Sequence, residues 1–326
     1  MKRQPLRKKD SGWVLLAWGL NGLGVLALLG ILIFYLFQNS AHAAVEPSVS
    51  SLVPRPTLTP APTSFYLPTV TPNPRATEIE DYSTPTAFVF TTDKAPHLIG
   101  YSVLNRPIEA YTFGDGESQF LIIAGIHGGY EGNTVDLANE FMVRLSRHPE
   151  IIPGGSTLYI IPDMNPDAVA RGRNVDARVN ADGVDLNRNF PTPNWLADWD
   201  HTNCWNDRPT TGGTYGGSEP ETKAVMNFIV SHHIQAMISY HSAGLGVFPG
   251  GDPWQAASKD LAARLSKATG YPYPPLDIGC IYTGTLADWA VENGVGASVD
   301  MELANHHDSD FNQNLNALKV LLGFNQ

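Results

Sequence analysis

Cysteine is scarce in this sequence of 326 residues, which contains only Cys204 and Cys280. Closed structural zinc sites often rely on several thiolate ligands, so a site of that kind is not expected here. The sequence leaves open whether the two cysteines pair, because residues this far apart along a chain need not be close in space.

Basic residues are also few. The chain has 21 lysines and arginines against 32 aspartates and glutamates, which gives a formal net charge of −11. Several of the basic residues crowd the amino terminus, so the rest of the chain is more acidic still. Proteins whose main partner is nucleic acid carry basic clusters on the binding face. Nucleic acid is therefore excluded as the principal partner.

One long uncharged apolar run occurs, at residues 13–37, directly after a basic stretch at residues 1–12. About 20 apolar residues span a bilayer as a helix, so this run predicts a transmembrane signal anchor. By the positive-inside rule the basic tail stays in the cytoplasm and the remainder is extracytoplasmic, where a disulfide can form. Ala41-His42-Ala43 resembles a cleavage site, so release near Ala43 is the alternative.

The composition changes twice after this run. Residues 38–85 are rich in proline, threonine and serine, which is typical of an extended, solvated and disordered stalk or linker. Residues 86–326 have the size of one substantial folded domain. Within it, patterns of buried strands occur at residues 120–126, 157–164, 236–242 and 297–303. Helical patterns occur at residues 134–147, 219–232, 256–269, 285–293 and 310–322. This alternation predicts a single α/β domain with a mixed, mostly parallel, twisted β-sheet flanked by helices on both faces.

Imidazole and carboxylate groups follow two of the expected strands. His127 and Glu131 come directly after the first strand, and His241 lies at the end of the third. In open α/β sheets, ligands bind at the carboxyl ends of the strands. Two histidines and a glutamate that leave one coordination position for water are typical of catalytic zinc. The sequence therefore predicts one zinc ion per chain at this edge.

Further polar groups fall near the same edge. Asn187 and Arg188 stand next to each other before Phe190-Pro191, and an amide beside a guanidinium is well suited to hold a carboxylate. Glu302 lies among apolar residues of the fourth strand, where burial would raise its pKa toward the range useful for proton transfer. Asp300 shares that strand face and is a competing candidate.

The ordered motifs resemble the zinc metallocarboxypeptidases of the carboxypeptidase A type. The resemblance covers about residues 96–326 and includes the stretches NPDAVARG, GVDLNRNFP, YHS and IYTGTLADWA. It implies that His127, Glu131 and His241 bind zinc, and that Glu302 acts as general base and acid. It also implies that Asn187 and Arg188 hold the substrate carboxylate and that Tyr282 closes over the substrate. Asp185 would hydrogen-bond His127, and Arg178 would stabilise the oxyanion, with Arg171 and Arg173 as alternates.

Two positions depart from the family pattern. Histidine and glutamate are usually three positions apart, whereas HGGYE separates them by four and puts Tyr130 at the usual place. Two glycines can absorb an extra residue, so Glu131 is still the expected ligand. At the base of the side-chain pocket the family position corresponds to Ala287. The absence of a carboxylate there disfavours a preference for basic carboxyl-terminal residues.

These inferences predict a metallocarboxypeptidase, anchored in the membrane, that cleaves an amide next to a free carboxylate. The substrate would be a peptide carboxyl terminus or a cell-wall peptide in which diaminopimelate supplies the carboxylate. GVDLNRNFP resembles the bacterial amidases of the family, including the murein-peptide amidases. The alternatives are a catalytically inactive peptide-binding module and a deacylase of small N-acyl amino acids.

Overall fold

The computed structural model describes residues 96–198, 210–276 and 279–324. These residues build a seven-stranded sheet with the order β1-β2-β4-β3-β5-β7-β6. The strands are β1 His97–Tyr101, β2 Pro107–Gly114, β3 Ser118–Ile123, β4 Ser156–Ile161, β5 Ile234–Ser242, β6 Gly246–Pro249 and β7 Ala297–Leu303.

The centre of the sheet is parallel and its margins are antiparallel. The pairings β4–β3, β3–β5 and β5–β7 are parallel, whereas β1–β2, β2–β4 and β6–β7 are antiparallel. Strand β5 is buried along nearly its whole length, as expected of a strand covered on both faces. The predicted α/β fold with a mixed sheet is confirmed, and parallel pairing prevails only in the centre.

Six α-helices cover the sheet in the described part of the chain. They are α1 Gly132–Arg147, α2 Pro166–Val169, α3 Pro220–Val230, α4 Ala256–Thr269, α5 Leu286–Glu292 and α6 Phe311–Leu322. Alternate residues of β3 enter two separate cores: Phe120 packs on one side with α1, α4 and α6, and Leu121 on the other with α3 and α5. Helices therefore lie on both faces, as predicted.

Strands β1, β2 and β6 were not predicted. They lie at the two margins of the sheet, and the outermost strand β1 is exposed or half-buried along its length. A marginal strand buries little apolar surface, so its sequence carries a weak hydrophobic pattern.

The predicted anchor and linker lie outside the described residues. Among the helices that the structure describes, none is long and apolar enough to cross a membrane.

Candidate active site

A single turn of 3₁₀ helix, Gly128–Glu131, joins the end of β3 to helix α1. Gly128 has a φ of +48°, and a side chain at this position would overlap Ala168. At Gly129 an added Cβ would overlap the backbone carbonyl of Gly172. Only residues without a side chain allow the chain to turn this tightly against its neighbours.

This turn decides which side chain faces His127. The Oε1 atom of Glu131 lies 2.8 Å from Nδ1 of His127, and Glu131 is only 1% exposed. The ring of Tyr130 instead packs against His306, with the ring centroids 4.5 Å apart. The four-residue spacing is therefore accommodated, and the carboxylate rather than the phenol joins the histidine.

Three buried side chains converge on one point. Donor atoms of His127, Glu131 and His241 all lie within 4.8 Å of one another, an arrangement suitable for a metal ion. The two Nδ1 atoms are 3.3 Å apart, and Nδ1 of His241 is 3.3 Å from Oε2 of Glu131. That oxygen is buried and has no hydrogen-bond partner in the part of the chain that the structure describes. Two imidazole nitrogens and an unsatisfied carboxylate oxygen fit a zinc ion, which takes this donor set in catalytic sites.

The opposite edge of each imidazole is held in place. Nε2 of His127 is 3.0 Å from Oδ1 of Asp185, and Nε2 of His241 is 3.0 Å from Oγ of Ser239. When each Nε2 donates a proton to its oxygen, each Nδ1 keeps its lone pair for the metal. Burial opposes ionisation of Asp185, but Arg178, His127 and Arg188 together outweigh it and hold the pKa of Asp185 well below its ordinary value.

Of the three candidate arginines, Arg178 is the one at the site. Its Nε and Nη2 atoms contact Oδ2 of Asp185 at 3.0 and 2.9 Å, and its Nη1 is 3.3 Å from Oε1 of Glu131. Arg171 and Arg173 are exposed. The first donates to backbone carbonyls, and the second pairs with Asp136 on the surface.

Asn187 and Arg188 are both buried and lie in a short 3₁₀ turn. The side-chain Oδ1 of Asn187 accepts from the backbone N–H of Leu286 at 2.8 Å, which fixes the amide. The guanidinium carbon of Arg188 is 5.1 Å from the ring centroid of Tyr282. The structure thus brings the predicted carboxylate clamp and the predicted closing tyrosine together.

Glu302 and Asp300 both point from β7 into the same space, since residues two apart on a strand share a face. Oε2 of Glu302 accepts from the backbone N–H of Gly244 at 2.9 Å. Burial raises the pKa of Glu302, and the neighbouring charge of Glu131 raises it further. A raised pKa is a property of carboxylates that act as proton-transfer groups in catalysis.

A cavity of about 970 Å³ connects these groups. Apart from the two alternate arginines, every predicted site residue lines it except Asp185, which lies behind His127. The cavity also contains residues that sequence analysis missed: Asp252, Trp254, Lys259, Asp288 and His306. The sequence did carry a signal for His306. This histidine follows the apolar strand β7, just as His241 lies at the end of the apolar strand β5. Cys280 also lines the cavity and is disulfide-bonded, whereas Cys204 lies outside the described residues.

The sequence profile of the zinc carboxypeptidases matches residues 94–319. The chain belongs to the zinc carboxypeptidase family. This family uses one catalytic zinc, and the site formed by His127, Glu131 and His241 is suitable for it. Family membership supports the predicted assignment as a metallocarboxypeptidase.

Named relatives include two amidases. Murein peptide amidase A of Escherichia coli strain K12 is 34% identical over 131 residues, which cover 37% of this chain and 48% of the relative. The chain thus matches about half of that protein's length. Murein peptide amidase A of Vibrio campbellii is 29% identical over 237 residues, 67% of this chain and 88% of the relative.

Among solved structures, a murein-tripeptide amidase from Escherichia coli O157 superposes with a TM-score of 0.52 at 24% identity. The superposition covers 71% of this chain and 92% of that one. At this identity the likeness shows a shared fold.

Proposed function

We propose that this protein is a zinc-dependent peptidase that hydrolyses an amide bond adjacent to a free carboxylate. One observation carries the proposal: the donor atoms of His127, Glu131 and His241 converge in a cavity that also contains Glu302 and the Asn187-Arg188 pair. Metal ligands, a proton-transfer group and a carboxylate clamp are the parts that such a reaction needs.

Glu302 is the proposed general base and acid. Zinc held by His127, Glu131 and His241 would supply an acidified water and polarise the scissile carbonyl. Glu302 takes a proton from the attacking water and returns it to the leaving amine, for which its raised pKa is suited. Asp185 orients His127 through the hydrogen bond at Nε2.

Arg178 is the proposed stabiliser of the oxyanion. Its guanidinium is fixed by Asp185 and lies beside Glu131, so it adds positive charge next to the metal ligands without needing to move. Fixed positive groups of this kind stabilise the negative charge that develops on the carbonyl oxygen.

Asn187 and Arg188 are the proposed binding site for the substrate carboxylate. A guanidinium holds a carboxylate through parallel hydrogen bonds, and burial strengthens the attraction. Tyr282, which is 37% exposed and stands beside Arg188, is placed to close over the bound residue.

Two substrate classes fit this site: peptide carboxyl termini and cell-wall peptides in which diaminopimelate supplies the carboxylate. The amidase relatives and the GVDLNRNFP segment support the second.

Anchoring through residues 13–37, with the catalytic domain extracytoplasmic, would suit a cell-wall substrate. Membrane fractionation of cells that express the full chain, with carbonate washing, tests the anchor.

The proposed activity is tested by incubating the full chain in detergent, loaded with zinc, with both peptide classes. Wild-type protein should release the carboxyl-terminal residue, and Glu302→Gln should lower kcat by about 10²- to 10⁴-fold because the proton-transfer group is lost. Zinc content measured by mass spectrometry should remain at one ion per chain in both proteins. If zinc-loaded wild-type protein hydrolyses neither peptide class, the proposal is refuted.

A further inference from the structure

Asp300 is a second carboxylate on the cavity side of strand β7. It lies two residues before Glu302, which places its Cα about 6 to 7 Å further from the strand end, toward the interior of the sheet. Its side chain is 15% exposed, and the residue lines the cavity. Asp300 therefore lies deeper than the group that handles the scissile bond.

No ammonium or guanidinium group contacts Asp300 directly in the described ranges, and the charge of Arg188 acts on it only from a longer distance. The Oδ2 atom of Asp300 accepts from the Asn187 amide at 3.3 Å, and that amide is neutral. Its Oδ1 has no hydrogen-bond partner among the described residues. It lies 3.6 Å from Nε2 of His241, which is itself 3.0 Å from Oγ of Ser239. Within the described ranges, no lysine or arginine forms a salt bridge with it. A carboxylate held this way stabilises a cation that enters the cavity.

Two more carboxylates line the same cavity. Asp288 accepts from the backbone N–H of Gly251 at 2.7 Å, and Asp252 lies nearby. Burial, followed by the charges of Asp300 and Asp252, raises the pKa of Asp288 to about 6. Three aspartate carboxylates therefore line this cavity, together with the exposed Lys259 and the buried Arg178 and Arg188.

The geometry also relates Asp300 to the carboxylate clamp. The amide of Asn187 contacts Asp300 directly, and Arg188 follows Asn187 in the chain. A residue whose carboxylate binds the clamp would thus have its side chain beside Asp300. A positively charged side chain at that place would be complementary to the negative charge of Asp300.

We propose that Asp300 determines specificity by binding the side-chain ammonium of the carboxyl-terminal residue, so that diamino acids such as lysine or diaminopimelate are preferred. This inference rests on the proposed peptidase function. It replaces the expectation based on Ala287, because the carboxylate comes from β7 and not from the first turn of helix α5. Asp300 was considered from sequence only as a competitor of Glu302.

Kinetics on a matched peptide series test the inference. The peptides end in lysine, meso-diaminopimelate, norleucine or phenylalanine; norleucine has the carbon chain of lysine without the terminal ammonium group. Zinc-loaded wild type should prefer lysine and diaminopimelate over norleucine by at least about tenfold in kcat/KM, since a buried carboxylate is left unpaired by norleucine. The ratio of kcat/KM for the lysine peptide to kcat/KM for the diaminopimelate peptide identifies the better substrate.

Asp300→Asn should abolish this preference, with a loss of about tenfold or more on lysine and little change on norleucine. Asp260→Asn, which alters an exposed aspartate paired with Arg264 on helix α4, is the matched control and should retain the preference. If Asp300 merely positioned His241, its substitution would lower kcat equally for every peptide, and that result would overturn the inference.

Binding provides a readout independent of turnover. Calorimetry of full-length Glu302→Gln should show tighter binding of free lysine than of norleucine, and the double variant with Asp300→Asn should lose the difference. Equal binding of the two amino acids by Glu302→Gln would overturn the inference, even if Asp300→Asn failed to fold. If wild type cleaves norleucine peptides as well as lysine peptides, the peptidase function stands and the inference fails.

Discussion

At the scale of single residues, the position of His127 depends on Asp185. This carboxylate is fully buried and joins the imidazole of His127 to the guanidinium of Arg178. It thereby sets which nitrogen of His127 carries the proton and leaves Nδ1 available.

Asp185→Asn should weaken zinc binding by about 10- to 100-fold, because the amide is a poorer acceptor for Nε2–H and carries no charge to balance Arg178. Competition with a fluorescent zinc chelator measures the affinity. Asp182→Asn, at an exposed position three residues earlier, should bind zinc as wild type does. Unchanged affinity in Asp185→Asn would mean that the hydrogen bond does not support the metal site.

Residue chemistry made part of the site predictable. His127, His241 and Glu302 were found because polar groups at the ends of apolar strands are conspicuous. The sequence placed Asp300 at this edge of the sheet but did not indicate its proposed role, since it does not show that the amide of Asn187 donates to it. The choice of Arg178 among three arginines also needed the structure, because it depends on which one reaches Asp185.

At the scale of elements, the turn Gly128–Glu131 is the feature least apparent from sequence. The glycines indicated that an extra residue could be absorbed, but not that the backbone of Gly172 packs against Gly129. Such contacts involve residues far along the chain and therefore leave no local pattern.

Gly129→Ala should destabilise the domain by about 1 to 3 kcal/mol, since its Cβ would overlap a backbone carbonyl that cannot rotate away. For a domain of this size that corresponds to a fall in Tm of about 2 to 4 °C per kcal/mol. Calorimetric melting checks this value. Gly154→Ala should melt like wild type, because no atom lies within 4 Å of an added Cβ there; equal melting of both variants would contradict the packing argument.

At the scale of the whole molecule, the alternation of buried strands and amphipathic helices was enough to predict the α/β class. Each long central strand has a clear apolar run, and the helices that cover it have a clear apolar face. The order of the strands was not predictable, because it depends on pairings such as that of β3 with β5, more than a hundred residues apart.

Zinc should stabilise the whole domain, since two ligands belong to the turn after β3 and the third to β5, and they come together only in the folded state. At a free zinc concentration 100 times Kd, the expected gain is about 2.7 kcal/mol. Removing zinc with a chelator should lower Tm by about 5 to 10 °C for a domain of this size. His241→Ala should show little response to the chelator. A similar shift in that variant would indicate that zinc acts elsewhere.

The order of strands in the sheet also governs when the metal site can form during synthesis. His127 follows β3 and His241 ends β5, and 114 residues separate them in sequence. Because the two strands pair side by side, a nascent chain cannot bring these histidines together until Ser242 has left the ribosome. Pairing over such separations is also slow. The growing chain would therefore emerge without a complete zinc site, and metal capture would be a late step in its maturation.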